Sequence, residues 1–378
     1  MNFNNLKTKA SIFFGLIAVF VSNLYGCNTN LAEADVQRLF PNVKNAAAFT
    51  HYLASEAAMV DVPFTEHSIV PLEVPNTYKT DISAGYNFNK LTETHQRFLA
   101  HVTGKDVLEI GAGQGFFTGK ISAVAKNVHA VELSKTAGRL IVQTTKNYKK
   151  YIKESAQAKI SVSLGNILND KITLSTYDAI AIFNVLHYMT PTDAANTLKR
   201  CQARLNNDGL IYIMMNAPGS HLQTFLQYKK AKKNGLTYPG YICFQNEAVW
   251  GYDAVLQQTK PEVFMHGSEN PAKTTSETAG EAVDSPTIVR TRILLNTTTQ
   301  SKISTQSMFY GDRDSMLMLL DAANLEAIDI YYETGMSGIR VAELELEHNL
   351  FKTYNEGNLN LCVVAKQKGA FTPEIALK

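Results

Sequence analysis

The sequence predicts an α/β protein built on a mostly parallel sheet with helices on both faces. Three observations carry this. Val107 to Thr118, VLEIGAGQGFFT, is an apolar strand that breaks into glycines at every second position and resumes as a helix with Phe117, Ile121 and Val124 on one side. A second buried run, Asn127 to Glu132 (NVHAVE), follows and leads into Ser134, a residue type that caps helices, and then KTAGRLIVQTT. Strand, helix and strand in that order form a βαβ unit, whose right-handed crossover brings both strand ends to one edge. Finally, 378 residues that are 45% hydrophobic and 19% charged suffice for a full-sized core.

The same composition excludes several classes. A net charge of +2 gives no field that would steer the chain to nucleic acid, so no nucleic-acid partner is expected. The four cysteines, at 27, 201, 243 and 362, show neither paired spacing nor metal-ligand clustering. A disulfide framework, a zinc site and a bound metal are therefore not expected.

Residues 1–26 read as a signal peptide. Lys7 and Lys9 precede SIFFGLIAVFV (Ser11 to Val21), which is too short to span a bilayer. The run ends in Leu24-Tyr25-Gly26-Cys27, which resembles the bacterial lipoprotein box, with Tyr25 an uncommon occupant. The resemblance implies an exported lipoprotein anchored in the membrane through Cys27. An uncleaved extension on a cytoplasmic protein, or delivery into a host cell, stay open as alternatives. Residues 27–102 follow as an N-terminal helical or cap segment.

Beyond the glycine turn, Lys159 to Leu164 (KISVSL) alternates as a third strand and runs into Gly165-Asn166. Tyr177 to Phe183 (YDAIAIF) is a fourth, running into Asn184-Val185-Leu186-His187-Tyr188. Thr190-Pro191-Thr192-Asp193 supplies an N-cap, a proline at the first helical position and an acid three residues after the cap. Ala194, Leu198, Cys201 and Leu205 follow as one helix face, and Leu205 to Met215 has the form of a turn and a fifth strand. Residues 217–309 read as a cap insertion, with helices at Leu222 to Lys233 and Glu247 to Gln258. A polar loop near 267–287 has almost nothing apolar to bury. Ser315 to Tyr332 reads as helix then strand and Leu359 to Lys366 as a last strand, so 103–216 and 310–368 are two parts of one core and 369–378 is a tail.

Glu109 is the anomaly in this pattern, since a carboxylate inside a buried strand needs a cation or donors to compensate it. Glycine spacing separates two cofactor classes. A dinucleotide fold wants G-x-G-x-x-G, whereas here the third glycine, Gly115, comes one place early and Phe116 stands at the pyrophosphate-site position. An acid two residues before G-x-G-x-G resembles motif I of class I S-adenosylmethionine-dependent methyltransferases of the small-molecule type. Glu132 matches the acid that ends their second strand. The resemblance covers Lys105 to Met215 and roughly Tyr310 to Lys366, with Asn207-Asp208-Gly209 replacing the usual Pro-Gly-Gly before the fifth strand.

That resemblance implies a Rossmann-like, mostly parallel seven-stranded sheet with an antiparallel last strand, and S-adenosyl-L-methionine as cofactor. It implies that Glu109 lies near the methionine ammonium, that Gly111, Ala112, Gly113 and Gly115 shape the turn against the cofactor, and that Glu132 takes the ribose hydroxyls. Asn166 matches the residue that contacts the adenine amino group, and Leu133, Ile167 and Asn184 complete the cofactor-binding set. Tyr86, in SAGYNF, either touches the cofactor or simply packs.

Methyl transfer from a sulfonium is an in-line displacement that needs positioning more than acid–base help. His187 is the candidate catalytic residue, as a general base or as a hydrogen-bonded wall of the site. The expected acceptor is a small or lipid-like molecule, with a protein side chain second. The Asn-Pro-Pro-Tyr type sequence of adenine-methylating members is missing, which argues against DNA. A second function class stays open: a catalytically silent exported or membrane-anchored binding module that keeps the fold. A nicotinamide-dependent oxidoreductase is a third.

Overall fold

Five apolar runs become five parallel strands: β1 (Asp106–Ile110), β2 (Asn127–Glu132), β3 (Lys159–Leu164), β4 (Tyr177–Phe183) and β5 (Leu205–Asn216). The chain is seen in a computed structural model that describes residues 31–60, 91–169, 172–220, 222–246, 292–295, 302–334, 340–341 and 359–370. The expected signal segment with Cys27, Tyr86, the expected helix at 247–258, the expected polar loop near 267–287 and residues 371–378 lie outside the described residues.

Three strands formed far away in sequence form a small antiparallel sheet: β6 (Tyr241–Asn246), β7 (Arg292–Leu295) and β8 (Lys302–Phe309), with β8 in the middle. The sequence reading expects only helices and loop in this part of the chain. The helix at Leu222–Lys233 is present with the expected bounds, and the strands are an addition.

The main sheet continues with β9 (Leu325–Thr334), the two-residue β10 (Arg340–Val341) and β11 (Leu359–Gln367). Its order is β10-β9-β11-β5-β4-β1-β2-β3. β1 to β5 pair in parallel, and β11 enters antiparallel between β5 and β9. The expected mixed sheet with an antiparallel last strand is therefore present, extended by one short strand.

Alternation along these strands splits the core into two layers. Ile110, Ile182, Ile213 and Val363 point to one face, where Leu198 and Cys201 of the helix Pro191–Gln202 and Leu319 of the helix Arg313–Ala322 cover them. Val107, Ala181, Tyr212 and Val364 point to the other, under Phe98 of the helix Glu93–His101 and Ile121 of the helix Phe116–Ser122. On this second side Phe40 and Phe49, from the helical segment before the core, pack edge to face at 5.1 Å, and Phe49 meets Tyr148 at 5.9 Å.

Local signals set the helix boundaries. Thr190 Oγ1 accepts from Asp193 N at 3.1 Å and Pro191 opens the helix; Ser134 Oγ accepts from Ala137 N at 3.2 Å at the next cap. One expectation needs correcting. Leu205 is not the last residue of the Ala194–Leu198–Cys201 face, because the helix ends at Gln202 and Leu205 opens β5. Leu205 is buried in the same apolar layer, so hydrophobic spacing alone places it equally well in either element.

Candidate functional site

The carboxyl ends of β1, β2, β3 and β4 lie along one edge of the sheet, and the strand order reverses between β1 and β4. A crevice at such a reversal is where open α/β sheets bind ligands. The turn after β1 fills it with backbone in the left-handed region: φ is +74° at Gly111, +56° at Gly113 and +86° at Gly115. Two of these glycines are also fixed by packing. A Cβ on Gly111 would stand 2.2 Å from Val185 Cγ2, and one on Gly115 would stand 2.8 Å from the Cα of Ile141 in the helix Lys135–Lys149. Gly115 thus lets two helices approach, and Gly111 lets the turn lie against the segment after β4.

Two buried acids flank this turn. Glu132 is 6% exposed; its Oε2 accepts from Gly113 N at 2.7 Å and its Oε1 from Ser134 N at 2.8 Å. Burial pushes its carboxyl upward, and these backbone donors oppose the push. Glu109 is 5% exposed, and its Oε2 accepts from Thr118 Oγ1 at 2.6 Å. Burial pushes Glu109 up to about 8; the Thr118 bond opposes this, the Glu132 charge adds to it, and Lys120 opposes it. Both acids are held ready for positive charge or for further donors.

The end of β4 carries a second kind of signal. Asn184 sits at φ +58°, rare for a residue with a side chain, and its buried Oδ1 has no hydrogen-bond partner among the described residues. His187 follows on a single turn of 3₁₀ helix, Leu186–Tyr188, 2% exposed and with Nδ1 unpartnered among the described residues. Burial drives its imidazole down to about 3, so the ring is neutral and a weak base. This favours the wall reading of His187 over the base reading.

The other named residues fall along the same edge. Ala112 packs with Ala130 and Ile141, and Leu133 is partly exposed beside Glu132. Gly165 N donates to Glu132 O at 2.8 Å, which sets Asn166 and Ile167 beside the end of β2. Asn166 Oδ1 accepts from Leu168 N at 2.9 Å, making its own turn, and Ile167 is buried in the apolar layer. Glu109, the glycine turn and Glu132 therefore form one cluster, with Asn166 on one flank and Asn184 on the other.

Sequence reasoning overlooked Thr118 and His95. Thr118 lies one helical turn beyond the last glycine, in reach of the strand acid. His95 sits three residues after Thr92, where a capping box would place Glu or Gln. Its Nδ1 faces Thr92 Oγ1 at 2.8 Å, and its ring lies 4.8 Å from Phe117 and 5.0 Å from Phe183.

Residues 83–256 match the model of a family described as a methyltransferase domain. Two Mycobacterium tuberculosis proteins, each named a probable S-adenosylmethionine-dependent methyltransferase, are 24% identical to the chain over 148 residues, 39% of this chain and 46% of theirs. The chain thus spans just under half the length of the curated relatives it matches. Among solved structures, the CcbJ methyltransferase of Streptomyces caelestis is similar with a TM-score of 0.41 and 12% identity, over 73% of this chain and 88% of that one. An S-adenosylmethionine-dependent methyltransferase of Clostridium acetobutylicum gives 0.37 and 14%, over 70% and 84%.

Proposed function

We propose that the protein transfers a methyl group from S-adenosyl-L-methionine to an acceptor. One observation supports this most: Glu109 and Glu132, both buried, lie on either side of a left-handed glycine turn at the point where the sheet order reverses. A dinucleotide needs donors for a pyrophosphate there. Two carboxylates instead suit a ligand with an ammonium and hydroxyls.

The residues divide the work as follows. Glu132 accepts from the ribose hydroxyls with the lone pairs left over from Gly113 and Ser134, and Glu109 compensates the methionine ammonium. Gly111 and Gly113 give the backbone close approach, and Asn166 with Ile167 borders the adenine. Asn184, strained and with a free acceptor oxygen, faces the same region from β4. When bound, the sulfonium supplies an electrophilic methyl group. This chain's residues hold the acceptor in line with it and keep water out, and neutral His187 forms wall. The acceptor, a small or lipid-like molecule ahead of a protein side chain, gains the methyl as the carbon–sulfur bond breaks, and it releases its proton to solvent.

Calorimetry on the full chain with S-adenosylmethionine, S-adenosylhomocysteine and NAD tests the reading. Micromolar binding of the first two and none of NAD is the expected result, and NAD binding alone overturns it. The lipoprotein-like Leu24 to Cys27 favours a second reading, an exported and lipid-anchored module that binds without catalysis, since the cofactor is made in the cytosol. It predicts that the protein binds S-adenosylhomocysteine but moves no labelled methyl group to any extractable acceptor.

A further inference from the structure

We propose that Glu333 and Asn360 form the anchoring end of the acceptor site and take a hydrogen-bond-donating ammonium group of the acceptor. The inference rests on the methyltransferase reading for the word acceptor, and on strand register for the place.

Phe183 pairs with Met214, Met214 with Cys362 and Cys362 with Tyr331, making one rung across β4, β5, β11 and β9. Two residues further toward the carboxyl edge, Asn216 pairs with Asn360 and Asn360 with Glu333. Side chains two apart share a face. Asn216, Asn360 and Glu333 therefore stand on the face that also carries Phe183 and the Glu109 side chain, at the edge where the glycine turn lies.

That row has unsatisfied acceptors. Glu333 is 0% exposed and Asn360 2% exposed, and among the described residues neither Glu333 Oε1 nor Asn360 Oδ1 has a partner at hydrogen-bonding distance. The other Glu333 oxygen is used: Thr94 donates to Oε2 from its N at 3.3 Å and its Oγ1 at 3.0 Å, so this carboxyl caps the helix Glu93–His101 from a distant strand. The neighbouring cations are committed elsewhere, Arg97 to Asp329 at 2.6 Å and Arg340 to Glu93 at 2.7 Å. The buried Cys362 thiol, two residues from Asn360, is a weak donor to the Glu333 carboxyl. A buried carboxyl oxygen and a buried amide oxygen on paired residues, without a strong donor, are costly unless a ligand brings one. A neutral hydroxyl offers one donor and no charge. An ammonium offers up to three donors and compensates the carboxylate.

Burial pushes the Glu333 carboxyl upward against the bonds from Thr92, Thr94 and the Cys362 thiol, so a cation arriving at Oε1 also favours its charged form.

The test is ligand-observed NMR on the full chain, with short primary and secondary alkylamines and with alcohols of the same carbon skeletons. Calorimetry with S-adenosylhomocysteine runs in parallel. Amines should bind at least about tenfold better than their alcohols. Glu333→Gln and Asn360→Leu should each abolish that preference while S-adenosylhomocysteine still binds. Equal binding of amines and alcohols, no amine binding, or a preference that survives both substitutions overturns the anchor. So does a parallel loss of S-adenosylhomocysteine binding in both variants, which marks the pair as structural. Amine preference without any binding of S-adenosylhomocysteine to the native chain keeps the anchor and overturns the methyltransferase reading.

Discussion

Gly113 donates its backbone N–H to Glu132 Oε2 over 2.7 Å, so the acid ending the second strand holds the glycine turn that ends the first. The proposed binding role and local order thereby fall on one side chain. On the proposed function, Glu132→Ala should weaken S-adenosylhomocysteine binding by about 1 to 3 kcal/mol, since it would remove charged acceptors from the ribose and also free the turn. Calorimetry reads the affinity. Faster amide exchange at Gly113 and Ser134 in the same variant should report the loosened turn.

Gly113 and Gly115 differ in what they protect. Gly115→Ala drives a Cβ to 2.8 Å from the Ile141 backbone at φ +86°, so it should lower stability by about 1 to 3 kcal/mol through helix packing. Gly113→Val strains the turn next to the ligand and should abolish S-adenosylhomocysteine binding in a chain that still folds. Denaturant melts and calorimetry on the two variants separate the effects. Tight binding by Gly113→Val would place the cofactor elsewhere.

The inner parallel strands are legible because buried parallel strands read as apolar runs between polar turns, as YDAIAIF does, whereas KISVSL, at the exposed edge of the sheet, is legible by its alternation. Thr190-Pro191 is legible because the cap and the proline carry their own chemistry. What escapes depends on distant partners. Arg292–Leu295 becomes a strand only by pairing with Lys302–Phe309, and four residues carry too little periodicity to announce it. Leu205 has the right spacing for a helix face it does not join. Thr118 explains how Glu109 tolerates burial, yet nothing in its spacing marks it as the donor. The Asn216–Asn360–Glu333 row exists only in the register of an antiparallel return, where a slip of one residue would turn each side chain to the other face.

Lipid anchoring is proposed on Leu24 to Cys27 alone and is tested apart from the fold. In a Gram-negative host the full chain should partition to membranes and incorporate labelled fatty acid, and Cys27→Ser should abolish both. A diacylglyceryl group with an amide-linked chain buries many methylenes at about 0.8 kcal/mol each, enough for stable attachment where one chain is marginal. Soluble, unlabelled protein that keeps Met1 would overturn the lipid anchor.

Buried Glu109 and the buried histidines give pH dependences of opposite sign. Burial raises Glu109 from 4.5 to about 8, so between these values the folded chain holds a proton that the unfolded chain has lost. Its contribution is whole below 4.5 and is lost as pH rises through 8. Burial lowers His95 and His187 from 6.5 to about 3, so here the unfolded chain binds the extra protons. Their contribution is whole above 6.5 and is lost as pH falls toward 3. From these groups the melting temperature should peak near pH 6.5 and fall on both sides. Glu109→Gln should flatten the alkaline limb and steepen the acid limb between pH 4.5 and 6.5, where Glu109 opposes the histidines. A ligand ammonium reverses the Glu109 balance, because it favours the carboxylate. Binding of S-adenosylhomocysteine at pH 7 should therefore release up to about one proton, read as a binding enthalpy that changes with the ionisation enthalpy of the buffer. In Glu109→Gln that dependence should vanish; its persistence would mean that the ammonium lies away from Glu109.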